Sequence, residues 1–378
     1  MKTLRPFFIV IFAGFFSAAN AQLTSLPPSG GNQKSMVKQF IGADAFVEIT
    51  YSSPDVAGRE GKIWGGVVPY GKTNLGFGLS SEKNPSPWRA GANENTTIKL
   101  SHDMEVDGSP IKAGEYALFV EPQKDGPWKV IFSSETNAWG SFFYVPEDEV
   151  LSVEATPEEN DFREYLTYDF TNRKGTETTL NLMWENIKLP INMSLPNAKV
   201  ITLASIESEL KNAAGFSYQN WVTAANWASG AGFHDKAIQW ADAAITTPFI
   251  GQKNFITLST KAAVLAGAGK TEESAEVMDQ AIKDPSATPL QIHGYGRQLI
   301  ASGQKDMAME VFKYNHKRFD GAWPTNYGLA RAYSAMGNYK EALKHLKKAQ
   351  KNIPENDTIN PPVIEANIKK LENGEDIN

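Results

Sequence analysis

The sequence predicts a two-domain α+β protein in which an N-terminal all-β antiparallel sandwich is followed by an all-α helical solenoid. Apolar and polar residues alternate with period two through residues 40–195, and the apolar period becomes helical after Pro196. Small residues then recur at a nearly constant spacing, which indicates internal repeats. A chain of 378 residues is long enough to bury two cores. The predicted segments are a signal peptide (1–21), a linker (22–39), the β-sandwich (40–195), the helical repeats (196–373) and a frayed tail (374–378).

The first residues have the pattern of a secretory signal peptide. Lys2 and Arg5 precede a Phe-rich apolar stretch, and Ala-Asn-Ala at 19–21 is a small-x-small cleavage site. The apolar stretch is shorter than the ~20 residues that a membrane span needs. We therefore expect cleavage before Gln22, no membrane span, and a periplasmic or secreted protein.

Composition excludes several function classes. The 37 basic and 43 acidic residues give a net charge of -6, which argues against a nucleic-acid partner. Cysteine is absent, which removes disulfides, thiol catalysis and Cys-based zinc sites. The five histidines are scattered, and adjacent Ser101, His102 and Asp103 point to opposite faces of a strand. We therefore predict no catalytic set, no metal and no cofactor.

Six segments of the first half alternate as half-buried strands do. They read "AFVEITYSSPD", "TTIKLSHDMEVDG", "GEYALFVEP", "WKVIFSSE", "YLTYDFTN" and "TTLNLMWENIKLPI". Turns rich in Gly, Pro, Asn and Asp separate them. Short antiparallel strands at this spacing predict a sandwich or barrel, and no helical period interrupts them.

The second half repeats a pattern of small residues. Each of four units has a small residue followed seven positions later by Gly, and the pairs are Ala225 and Gly232, Ala262 and Gly269, Gly296 and Gly303, Ala330 and Gly337. Small residues recur five and twelve positions after each Gly, except at Asn315. Such residues let two antiparallel helices touch closely, and the Gly ends the first helix.

This spacing and the phrase "ARAYSAMGNYKEALKHLKKA" resemble the tetratricopeptide repeat. About four degenerate units cover residues 217–351, near the usual ~34-residue period. The phrase "PPVIEANIKKLENGEDIN" is predicted to be a capping helix with a polar tail. The resemblance implies a groove that holds a protein or peptide partner.

The repeat register predicts the residues that line this groove: Gln219, Asn226, His293, Arg297, Tyr327 and Arg331. Arg297 and Arg331 occupy equivalent positions of successive units, so they should stack on one wall and suit acidic or C-terminal carboxylate peptides. The alternative is a solvated helix face on which each Arg pairs with nearby acidic residues.

The β half is similar to the bacterial family known as domain of unknown function 2911. The similarity covers roughly residues 35–190 and lies in "VEITYSSPDVAGREGKIWGGVVPYG", "PWRAGANENTTIKL", "VDGSPIKAGEYALFVEP" and "WKVIFS". It implies an exported β-domain with no established activity. The segment "KTNLGFGLSSEKNPSP" is an insertion relative to shorter members, and it could reshape any site beside Trp88.

The stretch "PWRAGANENTTI" permits two interpretations. Arg59, Trp88, Arg89, Asn93 and Asn95 could form a pocket for an anionic or polyhydroxyl ligand, because they combine planar donors, a flat apolar face and amides. Alternatively, Arg89 and Asn93 satisfy backbone groups of an irregular loop while Trp88 closes one end of the core.

We therefore expect an exported binding or scaffolding protein whose repeats dock a protein or peptide. The alternative is an envelope hydrolase that acts on glycan or peptide at a site near the "WRAGAN" loop, with Arg59, Arg89 and Asn93. An enzyme would need converging titratable groups in a concave pocket.

Overall fold

The structure is a computed structural model that describes residues 32–378, so the predicted signal peptide lies outside the described residues. The chain divides into two compact units between Ile201 and Thr202, and the sequence predicts this boundary a few residues earlier, between residues 195 and 196. Each unit is described separately below. No helix among the described residues is long and apolar enough to cross a membrane.

The first unit is built from antiparallel strands. Within the described residues they are β1 (Gln33–Ile41), β2 (Ala45–Ser53), β3 (Thr97–Leu100), β4 (Met104–Val106), β5 (Ser109–Ile111), β6 (Gly114–Glu121), β7 (Trp128–Ser133), β8 (Glu149–Ala155), β9 (Glu158–Lys174) and β10 (Glu177–Ser194). A six-stranded sheet has the order β1-β2-β3-β6-β7-β8, and a four-stranded sheet has the order β5-β4-β10-β9. The predicted antiparallel β architecture is confirmed.

Alternation along the strands explains the core. In β2, Val47, Ile49 and Tyr51 are buried while the residues between them are only partly covered. Their side chains join those of β9 and β10, such as Leu166 and Leu182, in one apolar cluster. The central strand β6 is buried on both faces, because Phe119 packs in a second cluster against Ile131 and Tyr144.

Strand β1 corrects the predicted linker at residues 22–39. It pairs with β2 along its whole length, from Gln33 opposite Ser53 to Ile41 opposite Ala45. It lies at the edge of the sheet, where backbone hydrogen bonds form on one side and side chains such as Met36 and Phe40 stay exposed. Val37 and Ile41 contact the core, but Met36 and Phe40 are apolar as well and point away from it, so the alternation that predicts a strand is weak here.

The second unit is helical. The described helices are α1 (Ala198–Glu209), which spans the division between the units, α2 (Tyr218–Ala231), α3 (His234–Thr246), α4 (Phe255–Gly267), α5 (Thr271–Lys283), α6 (Pro289–Ala301), α7 (Lys305–Arg318), α8 (Trp323–Ala335), α9 (Tyr339–Lys351) and α10 (Asn360–Glu372). From α2 to α9 they form four successive pairs, as the repeat pattern predicts.

The predicted small residues lie where the paired helices touch. Ala225, Ala262 and Ala330 are buried, and so are the alanines predicted to face them from the second helices, whereas Ser274 is only half-buried. The four predicted turn glycines follow the first helix of each pair in left-handed conformations, and their φ angles are 95° (Gly232), 77° (Gly269), 80° (Gly303) and 77° (Gly337). The helix-pair prediction is confirmed.

Residues 374–378, predicted to be a frayed tail, pack against α8. Ile377 is only 5% exposed and belongs to the same apolar cluster as Tyr327 and Leu371. Gly374 has φ 77°, and the backbone turns there after α10. The segment is not frayed, because the one apolar side chain of this otherwise polar stretch is buried.

Candidate functional site

A cavity of 490 Å³ lies in the first unit beside the "WRAGAN" loop. Most of its wall comes from the long connection between β2 and β3, and Asn32, Ser141 and Trp184 complete it. Among the predicted site residues, Arg59, Trp88, Arg89 and Asn93 line this cavity. The structure thus brings four of the five together.

Arg89 is held on two sides. Its Nη1 donates to the carbonyl oxygen of Asn93 at 2.7 Å, and its guanidinium carbon lies 5.1 Å from the centre of the Phe142 ring. Gly140 lies so close that a Cβ there would be 2.3 Å from Nη1. Burial lowers the pKa of the Arg89 guanidinium. Within the described part of the chain, no carboxylate pairs with Arg89.

The loop around Arg89 is a strained but well-bonded turn. Ala90 and Asn93 adopt left-handed φ angles of 51° and 58°. The carbonyl oxygen of Ala90 accepts from Thr96 Oγ1 at 3.1 Å and from the Tyr168 hydroxyl at 2.8 Å. The hydrogen bond from Arg89 to Asn93 is the loop-satisfying role that the sequence suggests. It uses only part of the guanidinium.

Arg59 forms a local ion pair at the cavity wall. Its Nε donates to the Val56 carbonyl at 2.8 Å, and its Nη2 donates to the Asp55 carbonyl at 2.7 Å. The Asp55 carboxylate lies 3.5 Å from Nη2. Asp55 is the one carboxylate among the described residues that line the cavity. The pair therefore leaves Arg89 as the uncompensated charge of the wall.

Trp88 belongs both to the cavity and to an aromatic cluster. Its ring stacks on Trp184, with centroids 6.1 Å apart and an interplanar angle of 17°. Trp64 lies edge-on to Trp88, with 5.5 Å between centroids, and also touches Trp128. The core role and the cavity role that the sequence offers for Trp88 therefore coexist.

Asn95 does not line the cavity. It is buried, and its Nδ2 donates to the Glu135 carbonyl at 3.1 Å. Its backbone N–H donates to the Ala138 carbonyl at 3.3 Å, so it faces the segment after β7. Asn93 has a left-handed φ of 58°, so the turn and not strand alternation sends the side chains of Asn93 and Asn95 to different places, and the residue types alone do not reveal this turn.

Two further wall residues have no counterpart in the predicted site. Ser86 belongs to the insertion, and its backbone pairs with Thr73 through bonds of 2.8 and 2.9 Å. Trp184 comes from β10. Ser86 Oγ and Trp184 Nε1 are buried without a hydrogen-bond partner among the described residues. The only sequence feature that pointed to Ser86 as a wall residue is the insertion that contains it. No feature of the sequence around Trp184 indicates that this residue lines the cavity.

The described wall of the cavity does not contain the pair of acid and base side chains that the hydrolase alternative requires. His102 does not line the cavity, and its Nδ1 lies 2.9 Å from the hydroxyl of neighbouring Ser101. Asp103 instead bonds Lys112 at 2.8 Å. Among residues 32–378, no three His, Asp or Glu side chains gather in a way that could hold a metal ion.

The predicted groove residues of the second unit divide by burial. Gln219 and Asn226 on α2 and Arg297 on α6 are exposed. His293, Tyr327 and Arg331 are buried, with 8%, 5% and 9% of their surface exposed. The prediction that Arg331 is exposed on one wall of the groove is therefore wrong, because residues 376–378 cover it.

The buried members form one cluster. The ring centroids of His293 and Tyr327 lie 5.4 Å apart, and the Arg331 guanidinium lies 4.6 Å from the Tyr327 ring. His293 Nδ1 lies 3.0 Å from the Pro324 carbonyl, to which it donates. Burial and the nearby Arg331 charge lower the pKa of His293 to about 4. Arg297 is close enough to disfavour further positive charge on both His293 and Arg331.

The tail contacts Arg331 and Ser334 through peptide-type hydrogen bonds. Arg331 Nη1 donates to the Ile377 carbonyl at 3.1 Å. Ser334 Oγ donates to the Asp376 carboxylate at 2.6 Å and accepts from the Ile377 N–H at 3.1 Å. Burial opposes ionisation of Asp376, but hydrogen bonds from Ser334 and Asn378 outweigh it and lower the pKa of this carboxyl. A short acidic segment is thus bound by its backbone, its carboxylate and one apolar side chain.

Comparisons with known proteins agree with both units. Residues 32–193 match the family described as "Protein of unknown function (DUF2911)", and residues 324–356 match the tetratricopeptide repeat. No curated protein matches the chain.

Solved structures similar to this chain include several tetratricopeptide proteins. A chain of the APC/C hetero-tetramer Cut9-Hcn1 is 14% identical over 46% of this chain, with a TM-score of 0.32, and only 33% of its own length is covered. YrrB, described as a TPR protein with an unusual peptide-binding site, is 18% identical over 41% of this chain and 77% of its own, with a TM-score of 0.28. The C-terminal part of a TPR repeat-containing protein from Cytophaga hutchinsonii is 12% identical over 47% of this chain and 67% of its own, with a TM-score of 0.34.

The β strands, the family match and the helix pairs lead to one assignment. Residues 32–193 are similar to the DUF2911 family, and the four helix pairs that follow them include one stretch, residues 324–356, that matches the tetratricopeptide repeat.

Proposed function

We propose that the protein is an exported scaffold whose helical repeats dock a short acidic peptide segment of a partner protein. The tetratricopeptide match supports a protein-interaction scaffold. The observation that carries the finer proposal is the segment Asp376–Asn378, which Arg331 and Ser334 of α8 hold in the manner of a bound peptide.

The chemistry of this contact indicates which peptides fit. A buried guanidinium that donates to a backbone carbonyl recognises any extended peptide, whereas the Ser334 hydroxyl on a carboxylate favours an acidic residue. Ile377 supplies the apolar anchor. The preferred segment is therefore an acidic residue followed by a branched apolar one.

Arg297 extends this preference along the repeats. It is exposed and makes no hydrogen bond or ion pair within the described residues. Its positive charge reaches Arg331, since it contributes to the lowered pKa of that residue. A partner segment longer than the tail would gain a second cationic contact there.

Export is the part of the proposal that depends on the N-terminal sequence alone. Lys2, Arg5, the apolar stretch and the Ala-Asn-Ala site at 19–21 support it. N-terminal sequencing of the protein from its native cells should give Gln22. Retention of Met1 would contradict export.

Calorimetry with a peptide of the tail sequence tests the docking proposal. The chain ending at Gly374 is titrated with acetyl-Glu-Asp-Ile-Asn-amide, and we expect saturable binding. The full chain should bind more weakly, because its own tail competes at high effective concentration. Replacing the peptide's Asp by Asn, or Ser334 by Ala, should weaken binding several-fold.

The control is the Asn226→Ala variant, which changes an exposed groove residue on α2 far along the repeats from α8. It should bind the peptide unchanged. Circular dichroism of the shortened chain must show the helical content of the full chain. Equal binding of the Asp and Asn peptides, or no binding by a folded shortened chain, would contradict the proposal.

A further inference from the structure

The cavity of the first unit has an excess of hydrogen-bond donors and one uncompensated positive charge. Asp55 balances Arg59 at 3.5 Å, and Arg89 has no carboxylate partner among residues 32–378. The Arg89 bond to the Asn93 carbonyl uses Nη1 only. Nε and Nη2 therefore keep their hydrogens for another acceptor, on the edge of the guanidinium that matches two carboxylate oxygens.

Partial burial makes this guanidinium a stronger anion site than an exposed Arg. Side-chain contacts with Phe142 and the close backbone of Gly140 hold its plane in place. An arginine remains charged at neutral pH even where burial lowers its pKa. A positioned, partly desolvated cation loses little conformational freedom when it binds an anion.

Two other wall residues carry donors without partners. Ser86 is 1% exposed and Trp184 is 2% exposed, yet Ser86 Oγ and Trp184 Nε1 make no hydrogen bond within the described part of the chain. A buried donor that has no acceptor destabilises the folded chain, and a ligand oxygen placed there removes this cost. The tryptophan nitrogen is a donor only, and the serine hydroxyl can donate as well, so both suit an acceptor-rich ligand.

The rest of the wall suits an apolar body. Val68, Pro69, Pro87 and Trp88 face the same space, and its 490 Å³ far exceeds what a carboxylate group alone would fill. This volume falls in the range of about 300–1,000 Å³ that is typical of small-molecule sites.

From these contacts we propose that the β unit binds a small organic monocarboxylate, with the carboxylate on Arg89 and an apolar body against Trp88. Ser86 and Trp184 supply further donors to the ligand. A monoanion fits because Arg89 is the one positive charge left among the described residues of the wall after Arg59 pairs with Asp55. A phosphate dianion would leave surplus negative charge in the cavity.

The test measures binding of acid and amide pairs to the full chain. Acetate, benzoate and phenylacetate are each compared at millimolar concentration with acetamide, benzamide and phenylacetamide. Tryptophan fluorescence and calorimetry both report binding, since Trp88 and Trp184 line the site. We expect at least one aromatic acid to bind tenfold or more tightly than its amide, and acetate to bind more weakly than the aromatic acids.

Variants locate the site. Arg89→Gln should reduce binding of the acid at least tenfold, and Ser86→Ala should reduce it several-fold without disturbing the Arg89 contacts. Arg163→Ala, which changes an exposed Arg on β9 away from the cavity, should bind as the unaltered chain does. Melting temperatures identify any variant that fails to fold, and Ser86→Ala then carries the test.

Several outcomes would overturn the proposal. These are equal binding of acids and amides, an equal loss in Arg163→Ala, undiminished binding in both Arg89→Gln and Ser86→Ala, and no acid-dependent signal with any of the three acids. Tighter binding of phenyl phosphate than of phenylacetate would overturn the choice of a monocarboxylate.

Discussion

The ring of Phe312 on α7 occupies the space that a side chain on Gly296 of α6 would need. A Cβ on Gly296 would lie 2.4 Å from Phe312 Cζ, and one on Gly328 of α8 would lie 2.3 Å from Phe312 Cδ1. Phe312 itself is fully buried, so its ring has no free space into which it could move. The two glycines therefore let three helices of successive repeats meet around one aromatic ring.

Gly296→Ala should destabilise the helical unit. Overpacking in a full core costs about 1–3 kcal/mol, which exceeds the roughly 1 kcal/mol gained when Ala replaces Gly inside a helix. Gly294→Ala on the same helix is the matched control, because nothing lies within 4 Å of a Cβ at that position. It should raise the free energy of unfolding by about 0.5–1 kcal/mol. Urea unfolding followed by circular dichroism checks both, and effects of the same sign would contradict the contact.

The small-residue register shows how far sequence reasoning reaches in the repeats. Gly296 could be predicted to lie at a helix contact, because helices that approach closely need small residues, and these recur at a regular spacing in the sequence. The burial of Arg331 could not, because the covering residues Asp376–Asn378 come from a distant part of the chain. Arg297, one repeat earlier, does stay exposed.

The β unit shows the same division. Strands with one clearly apolar face, such as β2 and β6, could be predicted from alternation, whereas the edge strands β1 and β8 and the short β5 are not among the predicted segments. Arg89 and Asn93 could be grouped because they share one loop. Trp184 lies at the cavity because β10 pairs with β9, and this long-range arrangement cannot be predicted from the residues around Trp184.

Arg331→Ala should release the tail and lower stability. The change removes hydrogen bonds to the Ile377 carbonyl and the Tyr327 hydroxyl, and hydrogen bonds to charged groups contribute about 1.5–3 kcal/mol. Arg297→Ala, on the exposed equivalent position, should change stability by less than about 0.5 kcal/mol. Hydrogen exchange at residues 375–378 should rise in the first variant only. Unchanged protection of the Ile377 amide in Arg331→Ala would show that Arg331 does not hold the tail.

Stability of the helical unit should fall as the pH decreases, because His293 is buried in its neutral form. Its folded-state pKa of about 4 lies below the ordinary value of 6.5, so the unfolded chain takes up the proton first. The contribution of neutral His293 to the free energy of unfolding is fully present above pH 6.5 and is lost as the pH falls toward 4. The loss over that interval amounts to about 3 kcal/mol. His293→Gln removes the titration, and the difference between the two chains in urea unfolding at each pH isolates it. Parallel pH profiles for the two chains would contradict a neutral buried His293.

Gly140→Ala should displace Arg89 without changing the charge of the cavity. A Cβ on Gly140 would lie 2.3 Å from the guanidinium carbon, and the residue has φ 62°, where any side chain is strained by about 1 kcal/mol. Gly126→Ala separates the two effects, since Gly126 has φ 85° but an open space around its Cβ position. Both variants should lower the melting temperature of the β unit, but only Gly140→Ala should also weaken binding of the aromatic acid, by tenfold or more. Fluorescence titration of the two variants side by side measures this. If both variants keep full affinity, the position of the guanidinium does not control binding, and the anion contact must lie elsewhere in the cavity.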